Sequence, residues 1–129
     1  AYLGSLYEPE ANHILSIDEL LAPEVSFYVA WQGDRIVGTG AARSRPGENY
    51  GEIKRMYVDP ALRGQRLGAR LLATLEEAMR ARGLSLARLE TGAEQVEAVR
   101  LYERSGYMRC AAFGGYPDNG LSLFFEKPL

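Results

Sequence analysis

The sequence predicts a mixed α/β fold in which helices flank one sheet. Three observations predict it: strand-like runs ahead of residue 59, an amphipathic segment over 67–79, and further strand-like runs after that segment. A short glycine-containing stretch, Arg63-Gly64-Gln65-Arg66-Leu67-Gly68, joins the early strands to the helix. The rest of the chain is organised around this junction.

Residues 25–58 predict a three-stranded antiparallel meander. The runs 25–31 and 35–43 are separated by Gln32-Gly33-Asp34, which is typical of a hairpin turn. The run 50–58 follows a second turn and returns as the third strand. Asp59-Pro60 ends this strand, because proline has no N–H to donate to a neighbouring strand.

An amphipathic helix is predicted from residue 67. Its apolar residues recur at nearly four-residue spacing: Leu67, Leu71, Leu75 and Met79. Gly83 is placed to end the helix, and 84–90 follows as a strand. Because such crossovers are right-handed and join parallel strands, 84–90 is predicted to lie parallel to 50–58.

A second helix and two closing strands complete the predicted fold. Thr91-Gly92-Ala93-Glu94 is a candidate capping box that opens the helix, and Gly106 closes it. The runs 107–111 and 121–125 are the closing strands, joined by a flexible loop over 113–120.

Residues 1–23 carry the weakest pattern. Residues 16–21 predict a short helix, with Ser16 as N-cap and Glu19 three residues further on. His13 is the sole histidine, and the pattern favours a surface or half-buried residue without chemistry.

The junction has the features of an anion-binding turn. Backbone N–H groups are free at a helix N-terminus, and the helix dipole favours negative charge there. Gly64 and Gly68 allow a ligand to approach the backbone closely. Nearby arginines add positive charge: Arg63, Arg66 and Arg70. A phosphate or pyrophosphate is the predicted ligand, and the alternative is an ordinary strand-to-helix turn with surface arginines. The P-loop and G-x-G-x-x-G patterns are both absent from the sequence.

Composition predicts one ordinary globular domain over residues 1–129. The formal net charge of −2 argues against binding to nucleic acid or to a membrane surface. No apolar run approaches the ~20 residues of a membrane span. Cys110 is the only cysteine, which excludes an internal disulfide and fits a reducing compartment such as the cytoplasm. With no histidine near it in sequence, Cys110 is predicted to be a buried strand residue rather than a nucleophile.

Two stretches resemble the signatures of the Gcn5-related N-acetyltransferase (GNAT) superfamily. R-G-Q-R-L-G-A-R-L-L, after E-I-K-R-M-Y-V-D-P, is similar to motif A of that family, Gln/Arg-x-x-Gly-x-Gly/Ala. Arg63 and Gly68 match its ends, and Arg66 stands at the inner glycine position. Residues 95–107 resemble the second signature, Asn-x-x-Ala-x-x-Leu-Tyr-x-x-x-Gly-Phe, with Gln95 for its asparagine and Tyr107 for its phenylalanine. The two stretches occur in the family's order, and the resemblance covers residues 25–127.

The resemblance implies a fold and an activity. The fold would be a central, mostly antiparallel twisted sheet with a splayed parallel strand pair, flanked by helices and here lacking the first family strand. The activity would be acetyl-CoA-dependent N-acetyl transfer, made directly to a primary amine of a small molecule or protein. Homodimers occur in the family, so a dimer is left open. Two alternatives also stay open: a non-catalytic acyl-CoA-binding or sensor module of the same fold, and a generic phosphate or nucleotide binder.

The resemblance also implies roles for individual residues. Glu52, on a strand face shared with Lys54 and Met56, would be the general base, and Tyr102 would donate to the cofactor sulfur. Main-chain groups, the junction and a pantetheine contact would bind coenzyme A: Met56, Tyr57, Val58, Arg63, Gly64, Gln65, Arg66, Leu67, Gly68, Ala69 and Gln95.

Simpler interpretations accompany these roles. Glu52 is then a salt-bridged glutamate on a solvated strand face, and Tyr102 a helix tyrosine packed on the sheet. The acidic Glu52, Glu90 and Glu94 would suit a cationic acceptor. Further candidate acceptor contacts lie in the first segment: Tyr2, Tyr7, Glu10 and His13. No metal site is predicted.

Overall fold

The computed structural model describes residues 6–7, 12–16, 24–62 and 66–129. The strands are β1 (Leu6–Tyr7), β2 (Asn12–Ser16), β3 (Val25–Gln32), β4 (Arg35–Arg45), β5 (Tyr50–Val58), β6 (Leu86–Gly92), β7 (Met108–Arg109) and β8 (Ser122–Pro128). The α-helices are α1 (Leu67–Ala81) and α2 (Val96–Arg104), and short 3-10 helices cover Pro46–Glu48 and Pro60–Leu62. Within the described residues the strands form one eight-stranded sheet, in the spatial order β1-β2-β3-β4-β5-β6-β8-β7.

The sheet is antiparallel except at the pair β5 and β6, which α1 joins as a parallel crossover. Pairing between these two strands covers only residues 51–53 against 87–89. Their ends, up to Val58 and Gly92, are not paired with each other in the described part of the chain. The prediction of a mostly antiparallel sheet with a splayed parallel pair and flanking helices is therefore confirmed.

The main core lies between the sheet and α1. The apolar stripe of α1 is almost completely buried, at 1% exposure or less: Leu71, Leu72, Leu75 and Met79. It packs in one cluster with Ile53 of β5 and Leu89 of β6. Burial of each such side chain stabilises the fold by about 1.5–3 kcal/mol. Gly83, at φ 79, takes the chain out of the helix as predicted.

A buried polar cluster ties α1 to the last strand. Glu76 of α1 is 5% exposed and accepts a hydrogen bond of 2.9 Å from the Tyr107 hydroxyl. The Lys127 ammonium lies 3.1 Å from Glu76 Oε1 and 3.2 Å from Oε2. A buried carboxylate needs such partners, since burying it alone would be very costly.

A β-bulge interrupts β5 just where it leaves β6. Between Thr39 and Ala41, the single residue Gly40 of β4 faces two residues of β5, Arg55 and Met56. The Arg55 backbone has φ 56, and the Thr39 hydroxyl donates to the Arg55 carbonyl at 2.8 Å.

The bulge reverses the alternation of side chains along β5. Ile53 faces the core, and beyond the bulge Met56 and Val58 also pack against the core. The prediction that Met56 shares a face with Glu52 and Lys54 is therefore wrong, because the extra residue shifts the two-residue period.

Two strands extend the sheet ahead of Val25, where the sequence predicted none. β1 and β2 pair antiparallel with each other, and β2 pairs with β3. Ser16 is the last residue of β2, and the rest of the helix predicted over 16–21 falls on residues outside the described part of the chain. Pairing with β3 decides this element, because strand formation depends more on partners than on local propensity.

The closing strands also shift. β7 is limited to Met108–Arg109, and β8 starts at Ser122 and runs to Pro128. Neither helix in the described residues is long and apolar enough to cross a bilayer.

Candidate active site

A cleft of about 950 Å³ lies beside the end of β5, beyond the residues that pair with β6. Its walls come from the end of β5, the start of α1 and one side of α2. The predicted site residues that line it are Met56, Tyr57, Val58, Arg66, Leu67, Gly68, Ala69, Gln95 and Tyr102. The other predicted cofactor residues, Arg63, Gly64 and Gln65, lie outside the described part of the chain.

Arg66 occupies the last position before α1. Its backbone has φ 61 and ψ 20, in the left-handed region. Residues with a side chain avoid this region at a cost of about 1–2 kcal/mol, because Cβ approaches the following carbonyl oxygen. The turn thus gives a physical reason why motif A has glycine at this position.

Gly68 of α1 lies against Leu101 of α2. A Cβ added at Gly68 would lie 2.8 Å from Leu101 Cδ2 and 3.6 Å from Val58 Cγ2. Since real Cβ contacts are essentially never shorter than 3.0 Å, Leu101 would have to move and narrow the cleft that it lines. Because Gly68 has no side chain, the cleft stays open beside the N-terminus of α1.

Tyr102 of α2 is the phenol within this cleft. It is 5% exposed, and its ring centroid lies 6.0 Å from that of Tyr107 and 6.3 Å from that of Phe125. Burial raises the pKa of Tyr102 to about 12, because the phenolate would lose its hydration. The hydroxyl is therefore protonated at neutral pH and available as a donor.

Glu52 lies on the opposite face of the sheet from Tyr102. Ile53, Leu89 and Phe125 share the core with Tyr102, and side chains alternate along a strand, so Glu52 faces the other way. It sits at the middle of the three paired positions, next to the point where the strands part.

A small recess of about 240 Å³ surrounds Glu52. Glu52 is 2% exposed, and its Oε2 accepts a hydrogen bond from the Tyr116 hydroxyl. The Lys54 ammonium lies 3.6 Å from the same oxygen and donates to the Tyr116 oxygen at 3.1 Å. Glu52 is thus ion-paired, as the simpler interpretation had it, but buried rather than on a solvated face.

The surroundings of Lys54 and Tyr116, which lie beside Glu52, set their protonation states. The hydrogen bond to Tyr116, ahead of the cost of burial, raises the pKa of Lys54, so Lys54 is charged at neutral pH. Burial raises the pKa of Tyr116, so Tyr116 is protonated. Glu90 completes the recess and accepts a hydrogen bond of 2.5 Å from the Ser122 hydroxyl.

A model of the Acetyltransferase (GNAT) family matches residues 2–107. The chain belongs to the GNAT family. An IAA acetyltransferase of Azospirillum brasilense is 44% identical over 128 residues, covering 99% of this chain and 84% of the relative. The uncharacterized N-acetyltransferase YsnE of Bacillus subtilis is 33% identical over 123 residues, covering 94% of this chain and 81% of the relative. A crystal structure of a Klebsiella pneumoniae protein described as an acyl-CoA N-acyltransferase is 43% identical, with a TM-score of 0.77 over 84% of this chain and 76% of that one.

As a member of the GNAT family, the chain is an N-acetyltransferase, and acetyl-CoA is the acyl donor of this family. The relatives named as acetyltransferases favour the enzyme over the non-catalytic acyl-CoA-binding module. The splayed strands and the glycine at position 68 fit such a donor, because both keep a cleft open beside backbone N–H groups.

The strain at Arg66 of this GNAT chain yields a stability prediction. Arg66→Gly is expected to be more stable than Arg66→Ala by about 1 kcal/mol, because glycine adopts a positive φ freely and alanine does not. Thermal or urea unfolding of the two variants measures the difference. Both variants lack the arginine charge, so its contribution cancels, and equal stabilities would contradict a left-handed turn here.

Sequence reasoning missed Tyr116. It lies in the glycine-rich loop after β7, and its hydrogen bonds with Glu52 and Lys54 mark it as part of the site. The sequence signal that could have indicated it is an aromatic residue inside a glycine-rich loop, Phe113-Gly114-Gly115-Tyr116. Binding and catalytic residues lie disproportionately on loops.

Other candidate residues have separate outcomes. Tyr7 belongs to β1 and His13 belongs to β2. Tyr2 and Glu10 lie outside the described residues. Cys110 is half-buried, and burial raises the pKa of its thiol, which makes it a poor nucleophile. In the described ranges, no group of three His, Cys, Asp or Glu side chains could hold a metal ion.

Proposed function

We propose that this enzyme transfers an acetyl group directly from acetyl-CoA to a primary amine of a small molecule or protein. The observation that supports this most is the end of pairing between β5 and β6, directly after Ile53 and Leu89. This opening lies between the cleft with Tyr102 and the recess with Glu52. An acyl donor and an amine entering from the two faces would meet there, and juxtaposition alone supplies much of the rate.

The cleft residues are proposed to hold coenzyme A. Backbone N–H groups at the start of α1 and the Arg66 guanidinium would bind its diphosphate. The main chain of Met56, Tyr57 and Val58, which lies beyond the last residue of β5 that pairs with β6, would pair with the pantetheine amides, and Gln95 would add a side-chain contact. The thioester supplies an activated acyl group, and a strand N–H in the opening would polarise its carbonyl.

Glu52 and Tyr102 are proposed to handle the protons. The amine nitrogen forms a bond to the acyl carbon and the carbon–sulfur bond breaks. Glu52 takes the proton that the amine loses, the buried Tyr102 hydroxyl donates a hydrogen bond to the leaving sulfur, and the released thiolate takes its proton from water. Because the attack is direct, no covalent enzyme intermediate is required, and Cys110 has no role.

The recess around Glu52 is the proposed acceptor site. Glu52 and Glu90 both line this recess, and Lys54 is already engaged by Glu52 and Tyr116. A second amino group on the acceptor would gain from the Glu90 carboxylate, so we propose a cationic amine as acceptor. The preference for cationic acceptors is a separate proposal from N-acetyl transfer, and each can fail without the other.

The proposal is tested by supplying acetyl-CoA with a panel of acceptors. The panel contains diamines and polyamines, amino acids, a lysine peptide and IAA, which appears in the name of the Azospirillum relative. Thiol release is followed together with the mass of the acetylated product. We expect the highest kcat/KM with cationic amines. Tight binding of coenzyme A without turnover of any amine would contradict the proposed activity, and turnover of neutral amines only would contradict the acceptor class.

A further inference from the structure

We propose that Tyr116 is a positioning residue for the Glu52 carboxylate. This inference rests on the proposed role of Glu52 as the base. Among the described residues, the Tyr116 hydroxyl and the Lys54 ammonium both contact the carboxylate at Oε2. The pair therefore fixes the rotation of the carboxylate and leaves Oε1 for the amine of the acceptor.

The loop that carries Tyr116 is anchored by aromatic packing. The Tyr116 ring contacts Phe113 edge-on at 5.9 Å and Phe124 at 6.1 Å between centroids. Phe113 in turn contacts Phe124 and Tyr50, each at 5.7 Å. Such edge contacts contribute about 0.5–1.5 kcal/mol each beyond burial. The ring is therefore placed by packing, independently of the hydrogen bond that its hydroxyl makes.

A cation completes this anchor. The Arg88 guanidinium lies 4.9 Å from the Tyr50 ring centroid and 5.5 Å from that of Phe113, and it pairs with Glu126 at 3.2 Å. Arg88 is also the register partner of Glu52 on β6. The loop is thus attached to the strand that lies beside the proposed base.

Tyr116 donates to Glu52 in a setting with several other charged groups. The ionisable side chains that face Glu52 from the surrounding elements are Arg43 of β4, Tyr50 and Lys54 of β5, Arg88 and Glu90 of β6, and Tyr116 of the loop. Among them, Tyr116 makes the hydrogen bond to the carboxylate and also accepts one from Lys54. Its hydroxyl therefore links the cation to the carboxylate.

The central test is Tyr116→Phe, which keeps the ring and removes the hydroxyl. A carboxylate that loses a donor holds a proton more tightly, so the acid limb of the kcat/KM profile is expected to move up by about one pH unit. At a pH on that limb, kcat/KM is expected to fall about tenfold. Lys54→Gln removes the second contact to Oε2 and is expected to shift the limb in the same direction.

The matched control is Tyr50→Phe. Tyr50 belongs to the same aromatic cluster, but its hydroxyl is not among the described groups that donate to the Glu52 carboxylate. We expect its acid limb to match that of the wild type. An unmoved limb in Tyr116→Phe would overturn the proposal, and so would an equal shift in Tyr50→Phe, which would indicate general disturbance of the loop.

The failure of this inference can be told from failure of the proposed function. If Glu52→Gln keeps full activity, the base assignment fails and the role of Tyr116 fails with it. If Glu52→Gln is inactive while Tyr116→Phe keeps the wild-type profile, only the positioning role is overturned. Circular dichroism and thermal melts of each variant identify any loss of folding.

Discussion

Glu52→Gln is expected to lower kcat by about a hundredfold or more, with the affinity for coenzyme A unchanged. General base catalysis by one positioned group contributes about 10²–10⁴-fold, and an amide cannot accept the proton. Glutamine retains the shape of the side chain and an oxygen that can accept from the Tyr116 hydroxyl, so the fold should persist. Steady-state kinetics with a responsive amine, and calorimetric titration with coenzyme A, measure the two quantities.

Glu90→Gln provides the contrast for this variant. Glu90 lies in the same recess and loses the same charge, but it has no proposed part in proton transfer. We expect it to raise KM for cationic amines and to leave kcat close to that of the wild type. Equal losses of kcat in both variants would show that the recess needs its negative charge rather than a base at Glu52.

Tyr102→Phe is the second variant with a large expected effect, a fall in kcat of about a hundredfold. The phenol donates only when charge develops on the sulfur, so its loss should affect kcat far more than the affinity for acetyl-CoA. Because the pKa of Tyr102 is raised to about 12, the donor stays in place through neutral and moderately alkaline pH. The ratio of wild-type to variant kcat should therefore be constant from neutral pH to about pH 10.

Tyr107→Phe is the matched control for Tyr102→Phe. Tyr107 is equally buried and lies against Tyr102, but its hydroxyl donates to Glu76 within the structural cluster. Its loss leaves a buried carboxylate with one donor fewer, which is expected to cost about 1–3 kcal/mol of stability while kcat is kept. If Tyr102→Phe lowered stability in the same way but not kcat, its role would be packing, as the simpler interpretation holds.

Much of the fold follows from periodicity in the sequence. The four-residue spacing from Leu67 to Met79 and the strand that follows it are enough to predict α1 and a parallel crossover, because burial of a regular apolar stripe permits few arrangements. The N-terminal strands could not be predicted in this way. β2 has no clear alternation of its own, and its pairing with β3 forms it.

The sequence predicted those parts of the candidate site whose residues lie close together along the chain. The junction before α1 and the position of Tyr102 on α2 both come from residues close together in sequence, so the sequence indicates them directly. Met56 was misplaced because a bulge depends on the register between two strands, which β5 alone does not reveal.

The sequence by itself determined the mixed α/β class, the helix that follows the glycine-containing junction and the family signatures. These depend on backbone propensity and on the periodic burial of apolar side chains, which are local properties. Only the tertiary structure decided where β5 and β6 separate, which face Met56 takes and that Tyr116 meets Glu52. Residues 52 and 116 are far apart along the chain, and packing of the aromatic loop against the sheet brings them together.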